Sequence, residues 1–433
     1  MPQFFALLGN APLTSASPLL QNAAFTASGI DARYFTIAEA DPIRAFDLAR
    51  RLGLSGLNVT SPFKEELARF VELQGSVRQI GAINTVRFDG ARALGFNTDP
   101  IGVLGALREF GVTSFTDEHA VVLGTGGAAR AALFALTRRG AHITLLGRDV
   151  RKAQALARDF GASGFAGFEG AEARRSIERA ALIVGALSTR ERVIDPEWIA
   201  STAVVLDANY GASSRLLLDA RQRGCRTIDG HAWLLHQGAA AFELWTGARA
   251  PIEAMRAGLA AVDSSRRRSR RGIALTGFSG AGKSALCREL ARHLSLPAID
   301  LDLEIERRTG RSIPELFRTS GEAGFRELER DVLASISPEP SILALGGGAL
   351  LDPSHWPIVH EERLVLHLAI DLDTAIARVT PGSRPLFEQG DLHQLFDARR
   401  AGYLATCDVV LDARHSIEDL AAHIVRLWSA LAR

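Results

Sequence analysis

The run Gly277-Phe278-Ser279-Gly280-Ala281-Gly282-Lys283-Ser284 has the spacing G-x-x-x-x-G-K-S, and its chemistry is the holding of phosphate. The apolar stretch Ile273-Ala274-Leu275 precedes it and the helical pattern Ala285 to Leu290 follows, giving the strand, loop and helix that a P-loop requires. The glycines of such a loop, with the backbone of Ala281 and Ala285, let N–H groups close around a nucleotide triphosphate. Lys283 reaches the terminal phosphates and the Ser284 hydroxyl serves Mg2+. A second phosphate-type loop lies upstream, where Val121-Val122-Leu123-Gly124-Thr125-Gly126-Gly127-Ala128 ends a strand and opens a helix. Alone it reads equally well as a plain strand-to-helix turn. The next strand-like run ends in Gly147-Arg148-Asp149-Val150-Arg151-Lys152. Arg148 and Lys152 suit a ribose 2′-phosphate and hence NADP(H), whereas Asp149 keeps NAD(H) open, because an acid there holds a free 2′-hydroxyl.

Polar groups cluster around both loops. Ser15, Ser17, Asn58, Thr60, Lys64, Asn84, Thr85, Asn97, Thr98 and Asp99 supply hydroxyls, amides, one ammonium and one carboxylate, a set suited to a small polyhydroxylated carboxylate. Downstream, Asp300-Leu301-Asp302 spaces two acids i, i+2 at a strand end, which predicts that both project to one side. Beside a P-loop one acid, here Asp300, can support Mg2+ while the other receives an acceptor hydroxyl's proton. Arg326 offers a bidentate carboxylate clamp with Glu329 one turn on to orient it. Gly346-Gly347-Gly348 permits close backbone approach to a ligand, and Arg384 and Arg399 follow the core strands.

The elements that must position these groups alternate strand and helix throughout, predicting an α/β chain with largely parallel sheets. Its length of 433 residues implies about three domains. With 47% hydrophobic and 23% charged residues the composition is globular, and a net charge of +1 argues against a polyanion partner. Cys225, Cys287 and Cys407 lack metal-ligand spacing, so we expect a reducing cytoplasm. Neither a signal peptide nor a membrane span is expected. The segment 263–271, with Arg266, Arg267, Arg268, Arg270 and Arg271, reads as a solvated linker rather than a nucleic-acid patch.

Residues 1 to about 262 resemble shikimate dehydrogenase, through Ser15-x-Ser17-Pro18, Asn58-Val59-Thr60-x-Pro62-Phe63-Lys64, Gly81-Ala82-x-Asn84-Thr85, Asn97-Thr98-Asp99, the Gly124 loop, Asp207-x-x-Tyr210 and Gly230 through Gln237-Gly238 to Gly247. The resemblance implies a substrate domain (1–100, completed by helices at about 233–262) and a Rossmann NADP-binding domain (101–232). It implies reduction of 3-dehydroshikimate to shikimate, with Lys64 serving the carbonyl oxygen and Asp99 orienting it. Ser15, Ser17, Thr60, Asn84, Asp99, Tyr210 and Gln237 would hold substrate. The Gly124 to Ala128 loop, Arg148, Lys152 and Gly230 would hold cofactor. Residues 272–433 resemble shikimate kinase through D-x-D, F-R-x-x-E, G-G-G-A and R-P-L. That resemblance implies phosphorylation of shikimate by ATP and Mg2+. Asp302, Arg326, Gly346, Gly347, Gly348 and Arg399 would bind shikimate, Asp302 would take its proton, and Arg384 would contact ATP from a lid. The tail keeps Arg399 and Tyr403, with Ala401 and Ala405 where that family has proline and an acid. The leading expectation is a bifunctional enzyme performing both steps. The alternatives are a quinate- or NAD-preferring first half, or one half kept as a non-catalytic module.

Overall fold

A computed structural model describes residues 2–9, 12–210, 214–267, 272–336, 339–379 and 391–431. Arg384 and the R-P-L motif fall outside them. The chain forms two compact units, one of Met1–Pro18, Asp31–Leu54 and Ala261–Arg433, the other of Leu19–Ile30 and Ser55–Ala260.

In the first unit β1 (Gln3–Gly9) and β2 (Ala32–Ala38) pair in parallel from Gln3/Ala32 to Gly9/Ala38. Phe5, Leu8 and Ile37 are wholly buried, as a near-continuous apolar run demands of a parallel strand.

The second unit holds two sheets. β3 (Gly56–Val59), β4 (Glu72–Leu73), β5 (Thr85–Asp89) and β6 (Arg92–Phe96) lie in the order β3-β5-β6-β4, with β3/β5 and β5/β6 antiparallel and β4/β6 parallel. The other sheet is fully parallel. β7 (His119–Leu123), β8 (His142–Leu146), β9 (Gly164–Ala166), β10 (Leu182–Gly185), β11 (Val204–Asp207) and β12 (Arg226–Ile228) take the order β12-β11-β10-β7-β8-β9. That is the doubly wound dinucleotide arrangement, whose ligand crevice opens between β7 and β10, where the strand order reverses. Val121, Val122, Ile183, Val184 and Val205 are inaccessible to solvent in its centre.

The first unit resumes at Ala261, within the long helix Ile252–Arg267. That helix runs into the first part of the expected 263–271 linker, because Asp263 to Arg267 contains neither glycine nor proline to stop it. Residues 268–271 lie outside the described residues. β13 (Gly272–Thr276), β14 (Ala298–Asp300), β15 (Ile342–Ala344), β16 (Arg363–Ala369) and β17 (Val409–Asp412) form a parallel sheet ordered β14-β15-β13-β16-β17. β17 then pairs in parallel with β2 through Val409/Thr36 and Val410/Ile37, so the sheet continues into β2 and β1. Central β13 delivers the P-loop.

Cys225, Cys287 and Cys407 are free, buried thiols. Burial pushes all three pKa values up, that of Cys287 to about 11. Among the described residues no helix is long and apolar enough to cross a membrane.

Candidate functional site

Lys64 follows β3, and its Nζ lies 2.5 Å from Oδ2 of Asp99. Only 12% of the lysine side chain and 6% of the aspartate side chain remain exposed, so the pair forms one fixed unit at the edge of solvent. Asp99 begins the helix Asp99–Glu109, whose positive end favours a carboxylate. Its N–H donates to Asn97 Oδ1 at 3.0 Å, and the Asn97 amide donates to Ala82 O at 2.8 Å. Buried Asn84 joins the rest. Its Nδ2 donates to Thr98 Oγ1 (2.9 Å), Asp99 Oδ1 (3.0 Å) and Gln237 Oε1 (3.1 Å). Its Oδ1 accepts from the Thr98 N–H at 2.8 Å and the Thr85 hydroxyl at 2.9 Å. An amide with two donors and one carbonyl is thereby committed inside the protein. Asn84 positions Asp99 and Gln237, whereas Thr60 stands half-buried at the end of β3.

The Tyr210 ring lies against that of His231, centres 4.7 Å apart and planes tilted by 34°. Its turn is anchored by a residue that sequence reasoning passed over: the Ser214 hydroxyl donates to Asp207 at 2.5 Å, and Asn209, also on Asp207, donates to Leu187 O at 3.1 Å. Burial raises the pKa of Asp207 despite these donors. In the other unit Ser15 Oγ donates to Ser17 Oγ at 3.0 Å, drawing the two expected substrate hydroxyls together.

The crevice loop follows β7. Gly124 has φ 117°, and a Cβ there would lie 2.5 Å from Ala186 O, so only glycine fits between β7 and β10. The space over Gly126 is open, while Gly127 lets Lys64 pass 3.0 Å from where its Cβ would be. Gly126 precedes the helix Gly127–Thr137, which carries Ala128 and turns its N–H groups toward the crevice. Thr125 packs over Gly147. Arg148 is exposed just after β8, Asp149 caps the next helix, Val150–Phe160, and Lys152 is exposed in that helix's first turn. At Gly230 any Cβ would collide with Ala208 O, so the glycine permits close packing of helix Gly230–Thr246 against the end of β11.

In the P-loop, Gly277 (φ 147°), Gly280 (φ 85°) and Gly282 (φ 91°) adopt glycine conformations, backed by Leu368 O and Ala375 O. Lys283 Nζ donates to Gly277 O (2.8 Å) and Phe278 O (3.2 Å), bridging two carbonyls of the loop. Ser284 and Ala285 sit in the first turn of helix Lys283–Leu294, and Ala281 is buried beneath the loop.

The two acids do not share a strand face as expected. Asp300 ends β14 and caps helix Leu301–Thr309, while Asp302 already belongs to that helix. The physical reason is capping: an Asp with free amides ahead starts a helix rather than prolonging a strand. Asp300 and Ser284 still present oxygens of the hard type that Mg2+ takes together with phosphate. Among the described residues no cluster of three or more His, Cys, Asp or Glu could hold a metal alone.

Each glycine of Gly346-Gly347-Gly348 makes room for a functional side chain. A Cβ at Gly346 would lie 3.0 Å from Asp302 Oδ1 and 2.7 Å from Glu329 Oε1; at Gly347, 3.4 Å from Arg399 Nη1; at Gly348 it would collide with Arg326. The strand end thus gathers Asp302, Arg326 and Arg399. Arg326 Nη1 holds Glu329 Oε2 at 2.6 Å, and burial raises the Glu329 pKa against that attraction. The helix carrying both breaks at Gly321 (φ 66°). Arg399 is 5% exposed, with its guanidinium 5.9 Å from the Phe278 ring centre. The Tyr403 hydroxyl donates to Gly347 O at 2.5 Å, and the Tyr403 ring stacks on His367 at 5.0 Å. Burial holds His367 down at about 3 and lifts Tyr403 to about 12, so both are neutral. His367 escaped the sequence reading because it is one polar residue within the apolar strand β16.

Comparison with known families agrees with this division. Models described as shikimate dehydrogenase substrate binding domain, shikimate / quinate 5-dehydrogenase and shikimate 5'-dehydrogenase C-terminal domain match residues 7–86, 106–216 and 234–258, and one described as shikimate kinase matches 279–428. Shikimate dehydrogenase (NADP(+)) of Halobacterium salinarum is 42% identical over 265 residues, covering 59% of this chain and 98% of that protein. The Symbiobacterium thermophilum protein of that name is 37% identical, covering 60% and 95%. The crystal structure of shikimate 5-dehydrogenase from Thermus thermophilus with NADP(H) and shikimate superposes with a TM-score of 0.54 at 30% identity, covering 60% of this chain and 99% of that one. Quinate dehydrogenase from Corynebacterium glutamicum with NAD gives 0.54 at 27% identity, covering 60% and 99%. Over residues 7–258 the chain belongs to the shikimate dehydrogenase family, and it carries a shikimate kinase domain at 279–428.

Proposed function

We propose that residues 1–262 reduce 3-dehydroshikimate with NADPH and that residues 272–433 phosphorylate the resulting shikimate with ATP, two consecutive steps toward chorismate in one chain. The observation that carries the reading is the pairing of two complete polar centres, Lys64–Asp99 beside the dinucleotide crevice and Asp302–Arg326–Arg399 beside the P-loop.

In the first centre NADPH, when bound, supplies the hydride to the carbonyl carbon. Lys64 Nζ gives a proton to the carbonyl oxygen, and Asp99, fixed by Asn84, orients that ammonium. Ser15, Ser17, Thr60, Tyr210 and Gln237 hold the substrate's hydroxyls and carboxylate. In the second centre Arg326 and Arg399 pair with the shikimate carboxylate, and Asp302 accepts the proton of the attacking hydroxyl. Lys283 turns from the loop carbonyls to the phosphates, and Ser284 and Asp300 would hold Mg2+, which would supply positive charge against the phosphates.

NADP(H) is favoured over NAD(H) because the Asp149 carboxylate is engaged in capping, which leaves Arg148 and Lys152 to meet a 2′-phosphate. Three buried free thiols support a cytoplasmic site. We assign no nucleic-acid partner to Arg266–Arg271; deletion of that run is expected to leave DNA retention unchanged.

A coupled assay tests the whole. Purified protein given 3-dehydroshikimate, NADPH and Mg-ATP should oxidise nicotinamide and release ADP in succession. ADP release without reductase turnover, or greater efficiency with quinate and NAD, would overturn the reading.

A further inference from the structure

The strand register joins segments that belong to different enzymes. β2 lies in the dehydrogenase substrate-binding region and β17 in the kinase region, yet they are hydrogen-bonded neighbours. The Thr36 N–H and the Thr36 hydroxyl both donate to Asp408 O at 3.1 Å. Ala38 lies in the same apolar core as Ile273, Leu275, Leu366 and Leu368 around the P-loop strand, and Leu13 packs on that core.

Charged groups rim the seam. The Glu39 carboxylate, 6% exposed, bonds His415 Nε2 at 2.7 Å. Arg51 reaches Asp412, whose side chain is 1% exposed, at 3.2 Å. Arg414 bridges Asp412 at 2.6 Å and Asp47 at 3.4 Å. A sheet edge left bare exposes a row of unpaired donors and acceptors; here each edge covers the other. The contact continues toward both sites. Helix Ile417–Leu431, after β17, packs on the P-loop helix Lys283–Leu294 and on the short turn Pro12–Thr14 that leads into Ser15. Ile417 stands 3.1 Å from the place a Cβ of Gly282 would take.

We propose that Asp31–Leu54 of the dehydrogenase is the docking surface for the kinase module, and that the two unfold as one cooperative unit. Nucleotide held at the P-loop therefore stabilises the reductase as well. A ligand that binds only the folded form stabilises whatever must unfold with its site. The nucleotide arm of this inference rests on the kinase reading above; the seam itself does not.

The test heats the full-length enzyme for a fixed time over a temperature series, with and without Mg-ADP, and then assays residual reductase and kinase activity. Both activities should fall over one interval, and ADP should move both curves upward by the same few degrees. A shift of the kinase curve alone overturns the inference. Lys283→Ala, which has no kinase curve to follow, must cancel the shift of the reductase curve; a reductase shift that survives it comes from ADP in the dinucleotide crevice and also overturns the inference. If ADP moves neither curve, the kinase reading fails, and the curves without nucleotide decide: coincident loss supports docking and separate loss overturns it. Arg51→Glu sets a third carboxylate beside Asp47 and Asp412, away from either catalytic set. Its two curves should separate, and curves that still move together by the wild-type shift overturn the inference.

Discussion

The carboxylate of Asp149 accepts the backbone N–H of Lys152 at 3.1 Å, with that of Arg151 at 3.0 Å, and so belongs to the helix start rather than to the cofactor. On the proposed reading Arg148 meets the 2′-phosphate. Losing one charge-assisted contact of about 1.5–3 kcal/mol, Arg148→Ala should raise KM for NADPH roughly 10- to 100-fold and leave KM for NADH unchanged. Initial rates with both nicotinamides check it. Asp149→Asn should keep the cap, while Asp149→Ala should lower stability by about 1 kcal/mol.

Lys64 and Lys283 serve separate chemistry. Lys64→Ala should cut reductase kcat by about 10²–10⁴-fold and leave ADP release from added shikimate intact. Lys283→Ala should abolish phosphorylation and leave NADPH oxidation at its wild-type rate. Each half assayed alone on both variants decides the matter.

The Arg326–Glu329 pair gives a pH-dependent outcome. Burial already raises the Glu329 pKa, and Arg326→Ala would remove the guanidinium that opposes the rise through both charge and hydrogen bond, raising it further. A carboxyl whose folded pKa lies above its unfolded value, about 4, contributes stability below that pH and loses it as pH rises through the folded value. Arg326→Ala should therefore be destabilised by about 3–5 kcal/mol near neutrality, where a buried charge stands alone, and by less near pH ~4. Thermal unfolding of the variant at both pH values reads this directly, together with a raised KM for shikimate.

Tyr403 holds the glycine strand end through Gly347 O. Tyr403→Phe should raise KM for shikimate several-fold, consistent with a lost hydrogen bond of about 1 kcal/mol, and leave KM for ATP unchanged. Equal changes in both constants would point to general loosening of the P-loop core.

Much of this was legible in the chain because local chemistry specified it. The glycine spacing at Gly277 and Gly124, flanked by apolar runs, marks strand, loop and helix, and those loops lie where the spacing places them. One reading went astray where one residue type serves two purposes: Asp300 reads as a strand acid and is a helix cap. The Asn84 amide donates to Thr98, Asp99 and Gln237, partners that only the tertiary fold brings near. The join of β17 to β2 left no mark at all, since edge strands paired across 373 positions, as Val409 is from Thr36, carry no local pattern.

That join changes what a mutation in the first 54 residues means. In a cell lacking any other source of shikimate 3-phosphate, alleles scored as kinase defects should arise at Ile37, Glu39 and Arg51, positions a gene map would file under the reductase. Under the proposed coupling the two activities form a single genetic target, in which damage to one is inherited as damage to the other.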